Sequence, residues 1–322
     1  MASSRTNVSI RLGEECVLEI AEFRGAQPGP VVALIGGVHG DEDEGIMTLQ
    51  RVIAYLEDHP VHGTVKILPI SNPPAFDAIT RESPVDGLNL ARVFPGSVDG
   101  ALTERIAHAI TTQLIQGADL LVDLHSAGRA MGLPFWCGYM EENTASAKAA
   151  ARYARAFGAP LIWAHLARTE GRSLSAAIEL GVPALYAEAA GGGEVRGEDA
   201  DIYFEGILNV LAAAGALPPR PAPAIAPRMI RDRNGDTDEA LVAPCDGMLV
   251  SRAPLGGQVT KGQLLSEIYG ADGRLKAAIS ANSDGILIVA RRLARVKAGD
   301  PVALVADTPF QLEPYGEMLR PA

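Results

Sequence analysis

VVALIGGVHGDEDEGIMTLQRVIAYL, residues 31–56, decides the fold class. Its first six residues are a short apolar run of the kind found in strands buried on both faces. A polar, glycine-bearing turn follows. Apolar residues then recur at Ile46, Leu49, Ile53 and Leu56, one stripe of a helix. The same alternation continues downstream. VKILPI (65–70) reads as a second strand, with turn chemistry after it in SNPPAF. Ile106, Ile110 and Leu114 mark another helical stripe, LLVDL (120–124) a third strand and PALYA (183–187) a fourth. Strands alternating with helices predict an α/β fold with a mainly parallel sheet and helices on both faces. In such sheets ligands bind just beyond the C-terminal ends of the strands.

Two polar constellations sit at those ends. GGVHGDEDEG places His39 and Glu42 three residues apart directly after the first strand. DLHSAG places His125 after LLVDL, at the corresponding position. Zinc accepts imidazole nitrogen and carboxylate oxygen at about 2.0–2.2 Å, and two His with one Glu leave a fourth position open, as catalytic zinc sites do. Asp123, two residues before His125, points to the same side of its strand and is placed to orient an imidazole. Glu188 follows PALYA and precedes a glycine-rich turn, so it emerges at the same edge. Zinc lowers the pKa of its water, and a nearby carboxylate can take the proton. A lone His-x-x-Glu, or a lone Glu at a strand end, is more often ordinary polar surface; the combination carries the reading.

The order GGVHGDE, NPPAF, DGLNLARVFPG, DLHSAG and ALYAEAAGGG resembles the succinylglutamate desuccinylase and aspartoacylase family, relatives of the zinc carboxypeptidases, over residues 31–193. The closest style is that of its N-acetyl-diaminobutyrate deacetylase-like members. The resemblance implies a zinc carboxypeptidase-like sheet, one zinc per chain on His39, Glu42 and His125, and hydrolysis of a small N-acyl amino acid by a metal-activated water. It makes Glu188 the general base. It also implies that Arg81, nine residues after Asn72, stabilises the oxyanion, and that Arg92 grips the substrate carboxylate. The family's usual Asn-Arg pair is Ala91-Arg92 here; Asn89 is the candidate replacement if its segment is extended. The alternatives are a metallocarboxypeptidase acting on short peptides, or a non-catalytic relative that binds zinc or carboxylates. Trp136 and Trp163 are expected in the core; His165 follows a strand and could reach the pocket, but is given no role.

The organisation changes at PPRPAPAIAP, a proline-rich, semi-rigid stretch. Three regions are expected: a zinc amidohydrolase domain (1–216), a linker (217–239) and a β domain (240–322). The last contains an internal repeat, APCDGML (243–249) matching ANSDGIL (281–287). It resembles the biotinyl and lipoyl carrier fold over 241–307. Carriers present a lysine at a hairpin tip, whereas Asp272-Gly273 occupies the tip here and Lys276 falls in the next strand. A lid or interface role is expected instead.

Bulk properties narrow the partners. The 322 residues carry a formal charge of -11, with 48% hydrophobic and 21% charged residues, and are long enough for a large core or two domains. Net acidity argues against nucleic acid, whose binding depends on Lys and Arg neutralising phosphates. The basic runs at 228–233 and 291–297 read as solvated strand or linker surface. No apolar stretch approaches the ~20 residues of a membrane span, and the N-terminus lacks a secretory apolar region. Three scattered cysteines form no disulfide framework. The expectation is a cytoplasmic protein with a small-molecule substrate, compatible with a homo-oligomer.

Overall fold

The computed structural model describes residues 3–14, 16–223, 226–232 and 239–306. The first ten strands are β1 (Ser4–Arg11), β2 (Val17–Arg24), β3 (Val31–Gly36), β4 (Thr64–Leu68), β5 (Leu120–Ser126), β6 (Met131–Gly132), β7 (Trp136–Met140), β8 (Leu161–His165), β9 (Ala184–Ala189) and β10 (Arg228–Asp232). All but β6 form one nine-stranded sheet in the order β1-β2-β4-β3-β5-β9-β7-β8-β10. Its centre, β4-β3-β5-β9, is parallel. Strands β7, β8 and β10 are parallel to one another and antiparallel to β9. The β1–β2 hairpin runs antiparallel along the opposite edge.

Side chains alternate across a strand, and the two faces of this sheet bury two cores. The helices are α1 (Asp43–Asp58), α2 (Pro73–Ala78), α3 (Leu102–Ile110), α4 (Ala145–Phe157), α5 (Ser173–Glu179) and α6 (Gly197–Ala213). Leu49 and Val52 of α1, Phe157 of α4 and Tyr203 of α6 pack on Leu34, Val122 and Leu185. Leu49 and Val52 are fully buried, each contributing about 1.5–3 kcal/mol by burial. On the other face, Ile106 and Ile110 of α3 and Leu174 of α5 pack with Ile35, Leu121 and Trp163. That face also carries Asp123 and His125 on β5, Tyr186 and Glu188 on β9, and Trp163 and His165 on β8.

The segment expected as a linker contains a strand. β10 lies within 217–239 and extends the sheet beside β8, with Met229 buried in one core and Ile230 in the other. Two apolar residues among charged ones give no clear period, so only pairing with β8 reveals the strand. Parts of the expected linker (224–225, 233–238) and of the expected β domain (307–322) lie outside the described residues.

The C-terminal region forms two antiparallel sheets from β11 (Leu241–Val242), β12 (Gly247–Ser251), β13 (Gln258–Val259), β14 (Leu264–Tyr269), β15 (Leu275–Ser280), β16 (Gly285–Arg291), β17 (Arg295–Val296) and β18 (Pro301–Ala306). The sequence repeat is visible in the pairing. β12 pairs with β14 of its own half and β17 of the other, while β16 pairs with β18 and β13. Asp284 Oδ1 accepts from Lys261 N at 2.7 Å, and Asp246 Oδ1 accepts from Ala298 N at 2.9 Å. The two Asp-Gly repeats thus fasten each other's turns. This region is joined to the first through β6, which pairs antiparallel with β16, and Ile288 and Val289 enter the core beneath the site.

Candidate metal centre and cavity

The turn after β3 brings His39 beside Glu42, the residue that precedes α1. A Cβ at Gly40 would lie 2.0 Å from the Ala75 carbonyl, so only glycine lets this turn pack against α2. Glu42 makes no capping bond to its own helix. Its Oε1 lies 2.7 Å from His39 Nδ1, and its Oε2 lies 3.1 Å from His125 Nδ1 and 3.0 Å from Ser126 N. Ligand atoms of His39, Glu42 and His125 all lie within 4.8 Å of one another.

Each imidazole is held from behind. His39 Nε2 sits 3.1 Å from Asn89 Oδ1, and His125 Nε2 sits 3.1 Å from Asp123 Oδ2. Asp123 also accepts from the Ser173 hydroxyl of α5. Both Nδ1 atoms are thereby turned towards the same point, as outer hydrogen bonds do for metal-binding histidines. Behind the sheet, the Tyr203 hydroxyl of α6 donates to the His125 carbonyl and lies 2.8 Å from that of Ala187, tying the ends of β5 and β9 together.

The electrostatics suit a cation. Burial would raise the Glu42 carboxyl, but His39 and His125 hold it well below the usual range. Burial alone would lower His125, yet the Asp123 and Glu42 carboxylates push it well above an ordinary imidazole. The Arg81 guanidinium leans on the same cluster, 3.1 Å from Glu42 Oε1. His39, Glu42 and His125 are therefore the residues placed to hold a metal ion, an N/O set that zinc accepts.

Glu188 lies beside His125 in the β5–β9 register. Its Oε2 is buried with no hydrogen-bond partner. Burial pushes its carboxyl well above the usual range, reinforced by Glu42 and opposed by His125 and Arg81. It faces a cavity of about 380 Å³ that also takes in His39, Glu42, His125, Arg81 and Arg92. The structure thus brings together the predicted residues except Asn89. That residue starts a 3-10 turn at Leu90–Arg92, where its Oδ1 accepts from Ala91 N at 2.9 Å and meets His39. Asn89 is itself extended but Leu90–Arg92 after it is a 3-10 turn, so its side chain meets the turn and the imidazole and is not among the residues lining the cavity. Ala91 itself is on the cavity wall.

Several cavity residues lack a clear sequence signal. Trp136, Trp163 and His165, expected as core or left unassigned, line it while 3%, 2% and 1% exposed. Tyr186, Arg172 and, from the C-terminal region, Ala240, Val289 and Pro301 complete the wall. Apolar strand residues and wall residues look alike in sequence; the edge of the sheet at which they lie separates them.

Residues 28–214 match the model of the succinylglutamate desuccinylase/aspartoacylase catalytic domain. The chain belongs to that family. It is 34% identical over 283 residues to N-alpha-acetyl-L-2,4-diaminobutyric acid deacetylase of Halomonas elongata, covering 87% of this chain and 82% of that one. Among solved structures it is similar to the product-bound ectoine utilization protein EutE of Ruegeria pomeroyi, with a TM-score of 0.85, 30% identity and 96% of each chain covered. A succinylglutamate desuccinylase from a Silicibacter species gives a TM-score of 0.84 at 28% identity over 95% of each chain. These likenesses include the C-terminal sheets. Among the described residues no helix is long and apolar enough to cross a membrane.

Proposed function

We propose that this protein is a zinc-dependent hydrolase that removes a small acyl group from an N-acyl amino acid. The observation that carries the reading is the His39–Glu42–His125 cluster beside a buried Glu188 with an unpartnered oxygen, all lining one cavity. Zinc on these three side chains would act as a Lewis acid on the amide carbonyl and supply a water of lowered pKa. Glu188, kept protonatable by its burial, takes the proton of the attacking water and returns it to the departing amine. Arg81 meets the charge that develops on the carbonyl oxygen. Arg92, which also lines the cavity, holds the substrate's carboxylate, as the planar guanidinium fork suits.

Two further facts support a small acylated substrate. The cavity volume is that of a small-molecule site. The C-terminal sheets line one side of it through Val289 and Pro301. The similarity to a diaminobutyric acid deacetylase favours acetyl as the acyl group. The test is a panel of N-acetyl and N-succinyl amino acids and dipeptides with zinc-loaded protein, paired with metal analysis of the wild type and of His125→Ala. Turnover of acylated amino acids, about one zinc per chain and its loss in the variant are expected. Turnover of dipeptides alone, or unchanged zinc in His125→Ala, would overturn the proposal.

A further inference from the structure

The first turn of α1 carries a buried carboxylate that the proposed hydrolysis does not use. Glu44 is 3% exposed and stands two residues after Glu42. Its helix is seated directly on β5, since a Cβ at Gly45 would lie 2.8 Å from the Leu124 carbonyl oxygen. Both carboxylates bond Ser126, at the end of β5. Glu42 Oε2 accepts from Ser126 N at 3.0 Å, and the Ser126 hydroxyl donates to the Glu44 carboxylate. Glu44 also reaches the chain that leaves β9, where its Oε1 accepts from Gly191 N at 3.0 Å.

Gly191 is three residues after Glu188 and opens a run of three glycines with left-handed φ of 66°, 85° and 78°. Such a run has no side chains to pack and loses more chain entropy on ordering than any other. Its placement therefore comes from bonds to its neighbours. The bonding to β5 is stretched where it ends, with Ala127 N 3.3 Å from Ala189 O. Beyond it, Leu133 N donates to Ala190 O at 3.1 Å, and Gly192 N donates to Gly128 O at 2.7 Å. A Cβ at Gly191 would lie 2.5 Å from the Ala127 Cβ, so the turn is pressed on the segment that follows His125. Of these bonds and the one to Glu44, only the last is made by a side chain. It ties the turn to the helix that starts beside the metal cluster.

We propose that Glu44 is a positioning residue for the general base: its carboxylate latches the glycine turn after Glu188 to α1 and so fixes the distance from Glu188 to the metal cluster. This rests on the proposed hydrolase reading, in which Glu188 is the base, and adds the group that keeps the base in place. A general base works only within hydrogen-bond reach of the proton it takes, about 2.6–3.2 Å. A displacement of about 1 Å costs on the order of a hundredfold in rate. Glu44 is not among the residues lining the cavity, so its loss acts on kcat through Glu188 and leaves substrate binding in place.

Three variants test this. Glu44→Gln keeps an acceptor for the Gly191 N–H, Glu44→Asp keeps the charge on a side chain one methylene shorter, and Glu44→Ala removes both. The first measurement needs no turnover: backbone amide exchange at Gly191 in the zinc-loaded proteins, with circular dichroism as a check on folding. Exchange should accelerate about ten- to a hundredfold in Glu44→Asp and Glu44→Ala, as for loss of a hydrogen bond to a charged group, and change least in Glu44→Gln. If Glu44→Ala does not fold, Glu44→Asp carries the same comparison. The second measurement is steady-state kinetics on an N-acyl amino acid that the wild type hydrolyses. In Glu44→Asp kcat should fall by up to about a hundredfold, with KM and zinc content kept, and Glu44→Gln should recover it. Added to Glu188→Gln, Glu44→Asp should cost nothing further, because the base it positions is gone; a merely structural role would lower the residual rate by the same factor again. Unchanged exchange at Gly191, an effect confined to KM, loss of zinc, or a full further fall in the Glu188→Gln background overturns the proposal. A wild type that hydrolyses no N-acyl amino acid, while Glu44→Asp still releases Gly191, sinks the hydrolase reading and leaves the latch. An active wild type with unchanged exchange in Glu44→Asp sinks the latch alone.

Discussion

Replacing Asp123 by Asn isolates what the carboxylate behind His125 does for the metal. In the structure Asp123 Oδ2 lies 3.1 Å from His125 Nε2 and accepts from Ser173. Asparagine keeps the shape and one acceptor, so the imidazole remains oriented with Nδ1 towards Glu42. What it removes is the negative charge that makes His125 strongly basic. Loss of such an outer partner typically lowers metal affinity ten- to a hundredfold, or about 1.4–2.8 kcal/mol. Asp123→Asn should fall towards the lower end of that range and Asp123→Ala, which also frees the ring, towards the upper. Ser173→Ala, which leaves the charge in place, should change affinity less than either. The assay is competition for zinc with a chromophoric chelator at fixed pH, with circular dichroism as a check on folding. Equal zinc affinity in Asp123→Asn and wild type would refute the argument that this carboxylate tunes the site.

The remaining predictions concern other parts of the molecule. Glu188→Gln should keep its zinc and lose about 10²- to 10⁴-fold in kcat, the range of general acid–base groups; near-normal turnover would move the base elsewhere. The buried His165, with its pKa lowered to about 3, must take up a proton on unfolding below its ordinary value of 6.5. Its contribution to stability is therefore complete above pH 6.5 and is lost as pH falls towards 3, by about 1.4 kcal/mol per unit. Urea titrations of wild type and His165→Phe between pH 7 and 4 should show the wild type losing more, and parallel curves would contradict the assignment. Lys276 lies within β15, beyond the turn at Asp272–Gly273, so intact mass of protein made in cells with active biotin and lipoate ligases should show no added group.

Much of the site was legible because its residues stand at punctuation points of the chain. His39 and Glu42 follow an apolar strand, His125 and Glu188 lie at the C-terminal ends of two others, and a parallel sheet collects all such points along one edge. The repeat of Asp246-Gly247 and Asp284-Gly285 likewise announced a symmetric β region. By contrast, β10 left no period to read, because an edge strand with charged residues gains its stability from pairing with β8. Asn89 is a candidate for the carboxylate only if its segment is extended; instead a 3-10 turn follows at Leu90–Arg92 and its Oδ1 meets His39.

The sequence by itself thus determined the strand–helix alternation, the candidate metal-ligand residue types and their place at strand ends, since these follow from local periodicity and from the chemistry of each side chain. Only the tertiary structure decided which side chains share a wall. Trp136, Tyr186 and His165 are far apart in the chain and indistinguishable from core residues by composition. They meet because β7, β9 and β8 are neighbours in the sheet and because Gly138 leaves the space that the Tyr186 ring fills. The contribution of β16 to the cavity wall likewise depends on a two-residue pairing with β6, too short to leave a sequence pattern, and on the packing of Val289 in the core of the first region.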